Sequence, residues 1–297
     1  MSLKGMVTGG FLGDAFSLGA HWIYDLDEIT SNFGIYNQVS EPLPGTFHKG
    51  KHKGDFTHYG DQSFMLLKYI SENKEFDYEG FKEYWINEMK DYNGYKDKAT
   101  KCSLEYFQKG YPYGYESMEL GGVARIGSII YFSKNEEEAL KNGIEQAQLT
   151  HTSFQSLLTT EFFIKLIYKM LSDKNIEEAI KSIIAEYKDE NKQFSYLENA
   201  YLKAKENLDI DYKEAIMNIG QTCNGCEAFP AVLYFILKYD NFKDAEIANV
   251  NSGGDSAARG IIIGMIFGAR DGEEALTKEW LAAMNKKSEI EEIIKNG

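Results

Sequence analysis

Apolar residues recur at helical spacing through much of the chain. Ile176, Ile180, Ile183, Ile184 and Tyr187 share one face of a 3.6-residue period, with polar and charged residues between them. Asn175 stands before that stripe and Glu178 follows three residues later, the arrangement of a capped helix start. Asn135 with Glu138, ahead of Ala139, Leu140 and Ile144, predicts a second start, and Asn241 with Asp244, ahead of Ala245 and Ile247, a third. They do not recur at a fixed period, which argues against a solenoid. Residues 157–171, 228–237 and 261–269 are apolar nearly all round and predict helices buried in the centre of the fold. No period-2 alternation bounded by turn residues appears, and four prolines leave few obligatory helix breaks. Without a proline- or serine-rich linker, the pattern predicts one almost wholly α-helical domain over residues 1–297.

The least regular stretch, residues 31–59, holds Pro42, Pro44, Gly45, Gly50 and Gly54 and is too long for a plain connector. It carries His48, His52 and His58, three of the five histidines. Three imidazoles suit zinc. Lys49, Lys51 and Lys53 interleave with the first two and oppose a cation, so a basic loop touching a phosphate is an equal alternative.

Charge narrows the partners. A formal net charge of −14 with only three arginines, Arg125, Arg259 and Arg270, excludes nucleic acid as the main partner, because such a binder needs clustered cations. No apolar run approaches the ~18 residues of a membrane span. The glycine-rich first twenty residues contain Asp14 and read as a helix of the fold and not as a leader, which places the chain in the cytoplasm. Three cysteines, Cys102, Cys223 and Cys226, do not make a disulfide framework.

Four segments carry candidate chemistry. In the first, Gly9 to Asp25, Gly9, Gly13 and Ala20 allow close helix approach, while Asp14 needs a partner if buried. In the second, His58-Tyr59-Gly60-Asp61-Gln62-Ser63, a polar cluster precedes Phe64, Met65, Leu66 and Leu67 as at a helix N-terminus. Its N–H groups either attract a polar ligand or are capped by Asp61 or Ser63. The third runs from Asn251-Ser252-Gly253-Gly254-Asp255-Ser256 to Arg259 and Gly260, with two glycines permitting an unusual backbone. Asp255 and Arg259 are four apart, as in a surface ion pair, yet the apolar residues that follow lead into the core. The fourth, Cys223-Asn224-Gly225-Cys226, has the spacing of a redox pair or half a zinc site, with two small buried thiols as the plainer alternative.

The first three segments, in this order and at these separations, resemble the three motif regions of the ADP-ribosylglycohydrolase family. Gly121-Gly122-Val123-Ala124-Arg125, Leu149-Thr150-His151 and Glu227-Ala228-Phe229-Pro230-Ala231 extend the resemblance over nearly the whole chain. It implies a compact all-α orthogonal multi-helix bundle and hydrolysis of the bond between ADP-ribose and a modified group at a pair of divalent metals. The departures are specific. His21 stands where the family commonly has glutamate, Gly60-Asp61-Gln62-Ser63 replaces Thr-Asp-Asp-Thr, and Asp255-Ser256-Ala257-Ala258 replaces Asp-x-Asp-Thr after the glycines. Asp61 and Asp255 remain as metal-binding carboxylates, enough for one magnesium ion at most and short of a dinuclear site. His-Trp-Ile-Tyr-Asp and His-Tyr-Gly-Asp-Gln resemble a branch of the family that includes lens crystallins.

Two functions follow as expectations. The first is a hydrolase of an N- or O-glycosidic bond in an ADP-ribose-like compound, a nucleotide-sugar or an ADP-ribosylated substrate. Its catalytic residues would be Asp61, Asp255 and His21, with His21 as general base and Arg125 and Arg259 supplying the positive charge of the missing metals. Asp14, His58, Tyr59, Gln62, Gly121, Gly122, Arg125, Ser256 and Arg259 would bind substrate, and Trp22, Tyr59 or Phe64 would stack on an adenine. The second is a non-catalytic binding or structural protein that keeps the cleft.

Overall fold

The computed structural model describes residues 2–172 and 175–296. The first half of the helix order is α1 (Leu3–Ser17), α2 (Leu26–Phe33), α3 (His58–Asn73), α4 (Tyr78–Asp91), α5 (Lys98–Gln108), α6 (Ile126–Phe132), α7 (Glu136–Ala147) and α8 (Phe154–Met170). The second half is α9 (Ile176–Glu186), α10 (Asn191–Glu206), α11 (Tyr212–Ile219), α12 (Gly225–Lys238), α13 (Phe242–Asn251), α14 (Ser256–Asp271), α15 (Lys278–Ala283) and α16 (Lys287–Asn296). Among the described residues the only β-type pairings are two isolated bridges, Glu116 with His151 and Glu119 with Asn224. No described helix is long and apolar enough to cross a membrane.

The three asparagine starts behave as their spacing predicts. The side chains of Asn135, Asn175 and Asn241 accept the backbone N–H of Glu138, Glu178 and Asp244 at 2.9, 3.1 and 2.9 Å. The three all-round apolar segments lie in α8, α12 and α14, and α14 is buried from Ser256 through Ala269.

One seam organises the bundle. α1 and α14 run antiparallel, with Gly5, Gly9 and Gly13 facing Gly268, Gly264 and Gly260 at four-residue intervals. A Cβ on Gly264 would lie 2.0 Å from the carbonyl oxygen of Gly9, so only glycine admits this backbone contact. The seam therefore sets the helix–helix distance and brings the ends of the first and third segments together.

Asp14, fully buried at the end of the seam, caps α3 from another helix. Its carboxylate accepts Thr57 N–H at 2.7 Å, the Thr57 hydroxyl at 2.6 Å and Gly60 N–H at 3.2 Å. A Cβ on Gly60 would sit 2.3 Å from an Asp14 oxygen, which accounts for glycine at that position. The residue that caps α3 from within the chain's own run is Thr57, accepting Tyr59 N–H, and neither Asp61 nor Ser63. Residues 34–57 are irregular but tied down. Asn251 brackets the backbone of Tyr36 from both sides at 2.8–2.9 Å, and Asn285 N–H donates to the Gly54 carbonyl at 2.9 Å.

Candidate functional site

Where α1 ends, the chain turns through Trp22, whose φ of 64° is unusual for a bulky residue. Trp22 N–H donates to the Gly254 carbonyl at 2.9 Å, and Gly254 N–H to that of Ile23 at 2.8 Å. Gly253 and Gly254 both lie at φ +73°, and a Cβ on Gly254 would meet the Gln221 carbonyl oxygen at 2.1 Å. This double clasp presents Asp255 at the head of α14, fully buried, beside His21. His21 Nδ1 accepts Ala257 N–H at 3.2 Å, so the neutral ring carries its proton on Nε2, which lies 3.5 Å from Asp255 Oδ1. Tyr59 donates its hydroxyl to Asp255 Oδ2 at 3.4 Å.

Around this pair gather three more histidines. The His21 ring centroid lies 5.2 Å from that of His48 and 6.3 Å from that of His58. His58 packs on Tyr59 at 3.9 Å, with Nε2 3.5 Å from Asp97 Oδ2. His151 sits against Gly121, where any side chain would strike both His151 and Tyr59. Its Nδ1 is 2.7 Å from the Thr150 hydroxyl, which in turn accepts from Arg125 at 2.8 Å. The Nε2 atoms of His21, His48 and His151, both ring nitrogens of His58, and Asp255 Oδ1 are buried without a hydrogen-bond partner. Buried polar atoms are almost always satisfied, so several orphans in one place mark a position built to meet something else.

Electrostatics separates the acid and base forms. Burial pushes the Asp255 carboxyl up to about 6, against the pull of Arg259 and His58. Burial together with neighbouring His48 and His58 holds His21 well below the ordinary imidazole value. Burial lowers His48 to about 4 and His151 to about 3, so all three rings are neutral near pH 7. Burial alone would raise Asp97, but His58 and the Thr100 contacts hold it well below the usual carboxylate range. Glu119 is raised by burial and accepts the Cys223 thiol at 3.2 Å. The Cys223 thiol itself is pushed up by burial and by Asp255 and Glu119, the opposite of what a reactive thiolate requires. Cys223 and Cys226 are both free.

Aromatic rings cover the cluster. Trp22 stacks on His21 at 4.5 Å and contacts Phe47 and Tyr95 edge-on at 5.2 and 5.1 Å. Phe47, from the irregular stretch, is 57% exposed and closes the triangle with Tyr95 at 5.1 Å.

The structure thus brings His21, His58, Tyr59, Gly121 and Asp255 together and leaves the other sequence candidates around them. Asp14 is spent on capping α3. Gln62 turns the other way, accepting from Trp85 Nε1 at 3.0 Å and donating to Thr100 at 3.2 Å. Gly122 lies against the His151 Cβ and Ala147, and the Ser256 carbonyl holds Asn249 at 2.8 Å. Arg125 is buried and donates to Gln146 and Thr150, whereas Arg259 donates to Asn249 at 2.8 Å and to the carbonyls of Gly253 and Gln221. Arg259 and Asp255 form no surface ion pair; both are fully buried, and Arg259 locks the loop that carries Asp255. Of the three loop histidines, His52 stands apart, exposed and 2.8 Å from Glu41, while His48 and His58 turn inward. Phe64 packs on Phe11 and Phe56, away from the cluster.

Asp61 lies on the other side of α3 from Asp255. Its Oδ2 accepts the Tyr92 hydroxyl at 2.5 Å and pairs with the Lys51 ammonium. Among the described residues no group of three or more His, Cys, Asp or Glu side chains is arranged to hold a metal ion. With one carboxylate neutralised by lysine and the other hydrogen-bonded to tyrosine beside neutral imidazole, the donors present do not fit a divalent pair. Asp97 and Glu119 carried no sequence signal, and Lys51 was visible only as one of three lysines interleaved with the loop histidines, with nothing local tying it to Asp61. His151 was visible in Leu149-Thr150-His151, but nothing local tied it to Tyr59.

The family model described as ADP-ribosylglycohydrolase matches residues 2–296 of this chain. Crystallin J1A of Tripedalia cystophora is 22% identical over 308 aligned positions, covering 97% of this chain and 93% of the crystallin. Crystallin J1B of the same animal is 20% identical with the same coverage. A solved structure described as an ADP-ribosylglycohydrolase-related protein complex superposes with a TM-score of 0.73 at 19% identity, covering 99% of this chain and 97% of the other, and shows the same all-α fold.

Proposed function

From the premise that this chain belongs to the ADP-ribosylglycohydrolase family, we propose that it is a single-domain, metal-independent hydrolase of an N- or O-glycosidic bond in an ADP-ribose-like substrate. One observation carries the reading. Six buried polar atoms on five residues, Nε2 of His21, His48 and His151, both ring nitrogens of His58 and Asp255 Oδ1, lack a hydrogen bond, their charged contacts being the 3.5 Å approaches of His21 to Asp255 and of His58 to Asp97. Asp255 is the general base. Its carboxyl, pushed up to about 6, is ionised near neutrality yet basic enough to take a proton from water. That water adds to the anomeric carbon as the bond to the leaving group breaks, and the proton taken up by Asp255 passes on to the leaving group, returning the carboxylate.

His21 has a different part from the one its position first suggests. With Nδ1 committed to Ala257 N–H, it presents Nε2–H and acts as a neutral donor that orients Asp255 and the incoming sugar oxygens. His58 and His151 offer further ring nitrogens to the substrate. Arg125 and Arg259 are positioning residues, fixing His151 through Thr150 and Asp255 through the Gly253 carbonyl. Asp61 takes no part in proton transfer.

The second reading, a binding protein without turnover, has its own support. His21 and Asp255 lie fully buried beneath Trp22, Phe47 and Tyr95, and the curated relatives are crystallins. The deciding experiment follows release of ADP-ribose from an ADP-ribosylated substrate in the presence of EDTA, beside calorimetric titration with ADP-ribose. Release that the Asp255→Asn protein lacks supports the hydrolase. Binding without release supports a binding protein, and neither binding nor release removes the hydrolase of ADP-ribose-like substrates and leaves a structural protein that keeps the fold.

A further inference from the structure

We propose that Lys51 is this protein's built-in substitute for a divalent cation at Asp61. The region of α3 that resembles the family's metal-binding motif keeps one carboxylate, and that carboxylate is already occupied. Gly60 offers no side chain, and the space of its Cβ is taken by Asp14. Gln62 points to Trp85 and Thr100 on the far side of the helix. Asp61 alone faces a pocket of about 480 Å³, and there its Oδ2 meets both the Lys51 ammonium and the Tyr92 hydroxyl.

This is not an ordinary surface pair. The side chains of Lys51 and Asp61 are only 17% and 19% exposed, so the pair lies against the pocket wall, less screened than an open surface pair, with the ammonium held against one oxygen. Nor is Lys51 free to swing away at low cost. Its backbone N–H donates to the His48 carbonyl at 3.0 Å, and three residues later Gly54 abuts the carbonyl of Ala283. Lys49, Lys68 and Lys286 line the same pocket, so four lysines face Asp55, Asp61 and Glu88. That field disfavours a divalent cation and leaves the lysine as the charge that Asp61 retains. The tether comes from the same irregular stretch that supplies His48 and Phe47 to the buried cluster, so one loop furnishes both the cover and the cation.

The inference rests on the reading of this fold as a former metal site, but its test does not use turnover, so it can fail while the hydrolase stands, or hold while the hydrolase fails. Lys51→Met, Asp61→Asn and the double variant are compared by thermal melting and by calorimetric titration with magnesium chloride. Each single variant is expected to melt about 2–4 °C below the unaltered protein, and the double variant no lower than the worse single one. Magnesium is expected to restore the Lys51→Met protein and not the double variant, with no uptake by the unaltered protein. Additive losses in the double variant show that the two residues are not coupled and overturn the proposal. So do magnesium uptake by the unaltered protein that Asp61→Asn abolishes, and a Lys51→Met protein that magnesium leaves unrestored.

Discussion

The two sides of the first turn of α3 solve opposite problems with neighbouring residues. His58 and Tyr59 turn into a wholly buried cluster where ring nitrogens and an Asp255 oxygen lack partners. Asp61, two residues on, turns to a solvent pocket where a lysine and a tyrosine satisfy its carboxylate. A helix advances about 100° per residue, so adjacent side chains part company at once. The two carboxylates that match the motif regions thus differ in burial and bonding. Asp255 is desolvated and under-bonded, with its carboxyl raised to about 6, whereas Asp61 is neutralised in place.

The comparison breaks most completely at the seam that holds both sides. Gly264→Leu forces side-chain atoms onto the Gly9 carbonyl and is expected to cost about 3 kcal/mol or more, read as loss of the cooperative melt. Next comes a contrast in turnover. Asp255→Asn should lower the rate by about 10²–10⁴-fold, while Asp61→Asn leaves it within about threefold. Equal losses from the two would end the assignment of separate roles.

A smaller effect concerns a buried carboxyl behind the site. Glu246 sits between Gly13 and Gly260, bonded to Asn249 at 3.1 Å, and burial pushes it from 4.5 up to about 8. Folded, it holds a proton that the unfolded chain releases above 4.5, so this group's contribution to stability falls as pH rises from about 4.5 to 8. Asp14, raised by burial from 3.8 to about 7, adds the same sign over its own range. Glu246→Gln should therefore flatten the decline of melting temperature across that range; an unchanged slope would remove Glu246 from the account. Smallest of all, Tyr92→Phe deletes one hydrogen bond to Asp61 and should cost about 1 kcal/mol or less in denaturant unfolding, without altering ADP-ribose binding.

Much of the fold was legible because it is local. The Ile176–Tyr187 stripe, the three asparagine caps and the all-round apolar segments depend on residues within a few positions of one another, and each stands where its spacing puts it. Local spacing also misleads. His48 and His52 are four apart, but they sit on no helix, and Gly50 between them lies at φ +81°. The ring that joins His48 at 5.2 Å is His21, four residues beyond the end of α1. Asp255 and Arg259 are four apart near the start of a real helix, yet the guanidinium reaches back to the Gly253 carbonyl and Asn249.

Hydrophobic periodicity by itself determined the helical class, and the order of motifs determined the family resemblance and a candidate set in which Asp61 stood level with Asp255 and His21. Tertiary structure decided which carboxylate is buried, which nitrogen of His21 carries the proton, and that Lys51 rather than an arginine sits on Asp61. Helix formation is governed by neighbours a turn apart, whereas charge, burial and protonation depend on whatever the glycine seam and the tied-down loop bring alongside.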